Sequence, residues 1–128
     1  MSYYNSKIVP YSFDAAISKI TDELKKEGFG ILTEIDVKDT LKKKLDVEFR
    51  KYRILGACNP PLAYEALQAE NNIGVLLPCN IIVQETVEGK VQVSFVNPAV
   101  SMQAVQNEKL LPVAEKVSGK LKNVMNNL

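Results

Sequence analysis

Apolar and polar positions recur along this chain with two different periods, and the switches between them mark out its elements. Tyr3 to Val9 reads as a first strand, closed by Pro10. Ser12 stands where a helix N-cap belongs, because its hydroxyl can accept an orphan backbone N–H. Phe13, Ile17, Ile20 and Leu24 then recur at helical spacing, with Asp14, Ser18, Asp22, Glu23, Lys25 and Lys26 elsewhere on the helix. Gly28, after Lys25-Lys26-Glu27, is a usual helix stop.

The period then drops to two. Phe29, Ile31, Thr33, Ile35 and Val37 alternate with Gly30, Leu32, Glu34 and Asp36, which predicts a strand. Asp36 also suits the cap of a short helix from Val37 to Leu45, with Asp39 near its positive end and Lys42-Lys43-Lys44 near its negative end. The lysine run is read as a solvated helix end. Lys51 to Cys58 is another strand, with Tyr52, Ile54, Gly56 and Cys58 on one face. Asn59-Pro60-Pro61 ends it and opens a short helix from Leu62 to Ala69, since Asn caps well and Pro fits a first helical turn.

Val75 to Thr86 reads as a long strand interrupted at Pro78, which cannot donate to a ladder. Glu88-Gly89 turns a hairpin into Lys90 to Val96, where Val91, Val93 and Phe95 alternate inward. Asn97-Pro98 opens a helical tail, whose stripe runs through Leu110, Ala114, Val117, Leu121, Val124 and Leu128. Pro112 sets the start of that last helix or follows a short turn ahead of it.

The element order is β-α-β-(short α)-β-α-β-β-α. It predicts a single compact α+β domain over residues 1–128, with helices near residues 13–27, 60–69 and 112–126. Strands joined through helices favour parallel neighbours and a tight hairpin adds an antiparallel pair. The expected sheet is therefore mixed and roughly five-stranded, with helices mainly on one face.

Composition narrows the chemistry. The 128 residues suit one domain with one core, and Lys+Arg 16 against Asp+Glu 15 offers no general attraction for a phosphate backbone or an anionic membrane. Neither nucleic acid nor membrane is an expected partner. No apolar run approaches the ~20 residues of a spanning helix. The first residues lack the basic-then-apolar signature of a secretory signal, and with only 2 cysteines a reduced, cytoplasmic setting is expected. The chain has no His, which removes Ser-His-Asp and Cys-His catalysis and every His-ligated metal site.

Two cysteine segments remain. In Gly56-Ala57-Cys58-Asn59-Pro60-Pro61, a thiol at a strand end precedes a helix start, whose field favours thiolate and whose free N–H groups suit an anion. A free Cys is more often a small buried hydrophobe, and sharing a face with Tyr52 and Ile54 fits core packing for Cys58. In Leu77-Pro78-Cys79-Asn80, Cys79 has the parity of Ile81 and Val83, again a core pattern. Twenty residues separate the thiols, too far for a Cys-x-x-Cys pair, and two thiolates alone complete no zinc site, so no metal is expected. Gly28-Phe29-Gly30 is no dinucleotide fingerprint. Glu34 and Asp36 share a side of their strand and read as solvated polarity. Tyr3, Tyr4, Tyr11, Tyr52 and Tyr64 are scattered and read as packing residues with surface hydroxyls.

Taken in series, these segments resemble the Domain of Unknown Function 302 family. The stretches that carry the resemblance are Gly28 to Asp36, Tyr52 to Pro60, Leu76 to Asn80 and Leu111 to Val117, and it spans nearly the whole chain. It implies a compact α+β fold, often dimeric, with no settled activity. Many relatives carry a His in the helix after Gly-Ala-Cys-Asn-Pro where this chain has Tyr64, so no role of that imidazole transfers.

The expected function is a non-enzymatic small-ligand-binding or interaction module with a pocket at Cys58, Asn59, Cys79 and Asn80, no cofactor being identifiable. The alternative is a thiol-based redox or metal-handling protein using Cys58 and Cys79. A homodimer is expected on two grounds: Lys90 to Val96 would be a pairing hazard at a sheet edge, and the stripe from Leu110 to Leu128 offers more apolar length than one helix-on-sheet contact uses.

Overall fold

The computed structural model describes residues 2–128. Its strands are β1 (Tyr4–Val9), β2 (Gly30–Asp36), β3 (Tyr52–Cys58), β4 (Cys79–Glu85) and β5 (Val91–Val96). Its α-helices are α1 (Phe13–Lys26), α2 (Val37–Leu45), α3 (Pro60–Ala69), the short α4 (Pro98–Ser101) and α5 (Leu111–Asn126). The α+β reading and the three main helices stand. Caps form where their residues predict: the Ser12 hydroxyl accepts from the Ala15 N–H, the Asp36 carboxylate from the Asp39 N–H and the Asn59 amide from the Leu62 N–H.

The sheet is a single five-stranded layer in the order β1-β5-β4-β3-β2. Every hydrogen-bonded pair in it is antiparallel, so the expected mixed pairing is corrected. The helical connections do not cross to a parallel neighbour. Asp36 pairs with Arg53 and Ala57 with Cys79, so the excursions through α2 and α3 each leave and re-enter the sheet at the same end. Only α1 carries the chain across, and it joins the two opposite edges, β1 and β2.

The long strand from Val75 is also corrected. Ile73–Leu76 forms a 3-10 turn, and β4 begins only at Cys79, past the proline.

Period-two alternation assigns one sheet face to the core. Leu55, Ala57, Ile81, Val83, Val93 and Phe95 lie on it, all nearly or fully buried. Against them pack Phe13, Ala16, Ile20 and Leu24 of α1 and Val113, Val117, Leu121 and Val124 of α5. Burying one such aliphatic side chain contributes about 1.5–3 kcal/mol, so this two-layer seam dominates the fold. Glu23 is buried beside it on α1, its carboxylate held by Lys26 at 2.8 Å and Lys19 at 3.6 Å. Those ammonium groups hold its carboxyl below the usual carboxylate range, the Lys26 hydrogen bond foremost.

The other face is open. One rung across it runs Tyr52, Gln84, Gln92, Ile8 and the next runs Ile54, Ile82, Ser94, Ser6. The charged strand residues have the opposite parity or lie at edges: Glu34 and Asp36 on edge strand β2 meet Arg53 at 2.7 and 3.5 Å.

Both features that suggested a dimer are accommodated within the chain. β5 lies between β1 and β4 rather than at an edge, and the α5 stripe is buried on its own sheet.

Candidate functional site

β3 runs directly into α3, and the change of direction happens at Asn59. Its side chain is 8% exposed and both of its polar ends are used. Oδ1 accepts from the Leu62 N–H at 3.4 Å, while Nδ2 donates to the Glu27 carbonyl at 3.1 Å, beyond the end of α1. The far end of α3 is tied by another asparagine, since Asn107 Nδ2 donates to the Ala69 carbonyl at 2.9 Å. Helix α3 is thus pinned at both ends, like a beam over the end of the sheet.

Beneath that beam lies a cavity of about 270 Å³. Leu62 and Ala66 of α3 form its roof, Ala57 and Cys79 its floor, and Met102, Val113 and Val117 its far wall. Small side chains on α3 leave this space, because Ala63 and Ala66 face it where larger residues would fill it. The β-bulge between Ile31 and Thr33 turns Leu32 outward to the rim, where Pro78 and Cys58 also lie.

The sequence-predicted site residues divide. Cys58, Asn59 and Cys79 all border the cavity. Asn80 does not: it follows Cys79 in a strand, points to the open face and lines a separate groove there. Asn59 contributes structure rather than a free polar group.

The thiols sit on paired strands, and Cys79 is the register partner of Ala57, next to Cys58. Neither is in a disulfide. Cys79 is buried with Ile81 and Val83, as its parity predicts. Burial pushes its thiol up to about 11, with the nearby Cys58 adding to the shift. Cys58 is only half-buried, which corrects its reading as a core residue. Tyr52 and Ile54 do share its face, but that face is the open one.

Among the residues missed from sequence are Leu62, Ala66, Val113 and Val117, which help to give the cavity its shape. Their signal was present as apolar helical positions, but periodicity does not distinguish a residue that fills a core from one that borders a void.

Residues 5–128 match the family described as a domain of unknown function, DUF302. The chain belongs to that family. A solved relative agrees with the DUF302 fold throughout: the crystal structure of an uncharacterized conserved DUF302 protein from Bacillus stearothermophilus superposes with a TM-score of 0.93. The two are 23% identical, over 99% of this chain and 98% of the other, so the likeness concerns the fold alone. Comparison with curated proteins gives no match. The DUF302 assignment accounts for the architecture and leaves the chemistry to the site. No helix among the described residues is long and apolar enough to cross a membrane.

Proposed function

We propose that this DUF302 chain is a non-enzymatic binding module that takes a small, largely apolar molecule into the cavity under α3. The cavity itself supports this reading: about 270 Å³ bounded by aliphatic, thioether and thiol side chains, with the one buried polar neighbour, Asn59, already satisfied. An apolar pocket of this kind offers water few hydrogen-bond partners and gains free energy when an apolar guest fills it. Its walls offer no charge to a carboxylate or phosphate, so the anion site suggested by the start of α3 is replaced by an apolar one. A homodimer is part of this proposal on narrower grounds than before: β1 and β2 each leave one edge of the sheet unpaired, and a second copy can pair there.

The thiol alternative has less support. Cys79 resists ionisation, and it faces the core whereas Cys58 has the parity of the open face.

Native mass spectrometry of the chain against a library of small apolar compounds tests the binding reading. A retained compound that is lost in Ala63→Leu, which narrows the cavity from its half-buried side, supports it. Retention unchanged in that variant, or no retained compound at all, overturns it. Sedimentation across a dilution series tests the dimer separately.

A further inference from the structure

The two free edges of the sheet are not alike. Strand β2 carries a bulge between Ile31 and Thr33 and sets Glu34 and Asp36 along its length. A copy of β2 laid antiparallel against it about Ile35 would bring Glu34 to Asp36, acid against acid. Bulges and charges are the usual protection of a sheet edge. Strand β1 lacks both on its outer side. It pairs with β5 residue for residue from Tyr4 to Val9 without a bulge. Its one charged side chain, Lys7, is turned to the helix side, where Nζ donates to the carbonyls of Met125 at 3.2 Å and Leu128 at 2.8 Å.

The ladder decides which backbone groups β1 leaves over. The Asn97 N–H donates to the Tyr3 carbonyl at 2.7 Å, so Tyr3 and its alternates Asn5, Lys7 and Val9 point their N–H and C=O groups at β5. Those of Tyr4, Ser6 and Ile8 point off the edge. Among the described residues, one of these groups is met there: the Tyr4 N–H donates to the exposed Ser2 hydroxyl at 3.3 Å. The side chains of the same three residues stand on the open face, with Tyr4 41% and Ile8 49% exposed.

We infer that β1 pairs with β1 of a second copy, antiparallel about a two-fold axis at Ser6, which joins the two five-stranded sheets into one. This specifies the homodimer included in the proposed function and rests on that part of it. In this register Ser6 exchanges backbone hydrogen bonds with the partner's Ser6, and Tyr4 with the partner's Ile8. Tyr4 and the partner's Ile8 then stand side by side on the open face, an aromatic–aliphatic pair of the kind that stabilises antiparallel strands. On the helix side Asn5 meets the partner's Lys7, so no like charges are opposed. Neighbouring registers are worse. An axis at Lys7 sets lysine against lysine and brings the partner's Pro10, which has no N–H, opposite Tyr4. An axis at Asn5 leaves Ile8 past the start of the partner's strand. Pairing β1 with the partner's β2 meets the bulge, and it is head-to-tail, so it would propagate rather than close.

Sedimentation of the full chain across a dilution series gives the oligomeric state, and variants at Ser6 locate the contact. Ser6→Pro removes an N–H that points off the edge, so the chain keeps its own ladder while the centre of the interface is lost. Ser6→Lys keeps the backbone and opposes two ammonium groups. Each is expected to raise the dimer dissociation constant about tenfold or more, with the far-UV circular dichroism of the parent. Ser6→Cys in a Cys58→Ala background should form an intermolecular disulfide on mild oxidation, since Cα atoms of a hydrogen-bonded antiparallel pair lie about 5.5 Å apart. Glu34→Cys on β2, in the same background, should not. A dimer that is unweakened in both Ser6→Pro and Ser6→Lys, or that links through Ser6→Cys no faster than through Glu34→Cys, overturns the β1 assignment and leaves the homodimer standing. A parent that stays monomeric overturns both and leaves the cavity reading to its own test. Assemblies larger than a dimer overturn the closed pairing, since β1 would then meet β2 of the next copy.

Discussion

Asn59 donates from its side-chain amide to the Glu27 carbonyl at 3.1 Å, and that bond ties the start of α3 to the end of α1. The same side chain caps α3 through the Leu62 N–H. Asn59→Ala removes both bonds and leaves the Glu27 carbonyl without this donor. It is expected to cost about 1–3 kcal/mol, read as a lower urea midpoint. Asn59→Asp keeps the capping oxygen but sets a carboxylate against that carbonyl, so it should rescue little. Unaltered stability in Asn59→Ala would show that the tie contributes nothing.

Glycine at three positions gives a graded series. Gly28 has φ +84°, and a Cβ there would lie 3.1 Å from Asn59 Nδ2. Gly28→Ala therefore meets both backbone strain and the Asn59 tie, for about 1–3 kcal/mol. At Gly56 a Cβ would overlap Thr33 Oγ1 and lie 2.7 Å from Pro78 Cγ, so the Thr33 side chain must turn away and the Pro78 ring must give. Gly30 has open space around it and stands at the start of an edge strand. Thermal unfolding should rank Gly56→Ala and Gly28→Ala well below Gly30→Ala, which should lie near the parent. A Gly30→Ala loss as large as the others would contradict this account of close approach.

What local pattern could and could not reveal follows from the range of the forces involved. Ser12, Asp36 and Asn59 act on N–H groups three residues away, so each helix start was legible. Strand pairing joins residues as distant as Tyr4 and Val96, and nothing local says whether a helical excursion ends beside its own start. Parity did show that Cys79 faces Ile81 and Val83, and it equally placed Asn80 on the other face; grouping the two in one pocket went against the alternation. Parity also put Cys58 with Tyr52 and Ile54 without saying which face the helices cover. Tyr3, Tyr4 and Tyr52 looked scattered because their convergence needs β1 and β3 to lie in one sheet.

The two thiols should label unequally. Cys58 is half-buried on the cavity rim, and Cys79 is buried with its thiolate disfavoured. Iodoacetamide at neutral pH should modify Cys58 roughly tenfold faster or more, since burial and a raised thiol both hold Cys79 back. Mass spectrometry of the single variants Cys58→Ala and Cys79→Ala assigns the rates. Faster reaction at Cys79 would mean that the floor of the cavity opens to solvent on that timescale.

Burial of Cys79 also predicts how stability depends on alkaline pH. Its thiol is pushed from an ordinary 9.0 to about 11 in the folded chain, first by desolvation and then by Cys58. Below the ordinary value the thiol is neutral in both states and contributes no pH dependence. As pH rises from 9.0 towards about 11, the unfolded chain ionises there while the folded chain still holds the proton. The unfolded state is then favoured progressively, and above the folded value the loss levels off at roughly 2–3 kcal/mol for this one group. Lysines and tyrosines titrate in the same window, so the difference between variants isolates the thiol. Cys79→Ala should show a shallower decline of the urea midpoint across that window than the parent, while Cys58→Ala should largely follow the parent. Parallel declines in the parent and Cys79→Ala would mean that water reaches Cys79 freely in the folded chain.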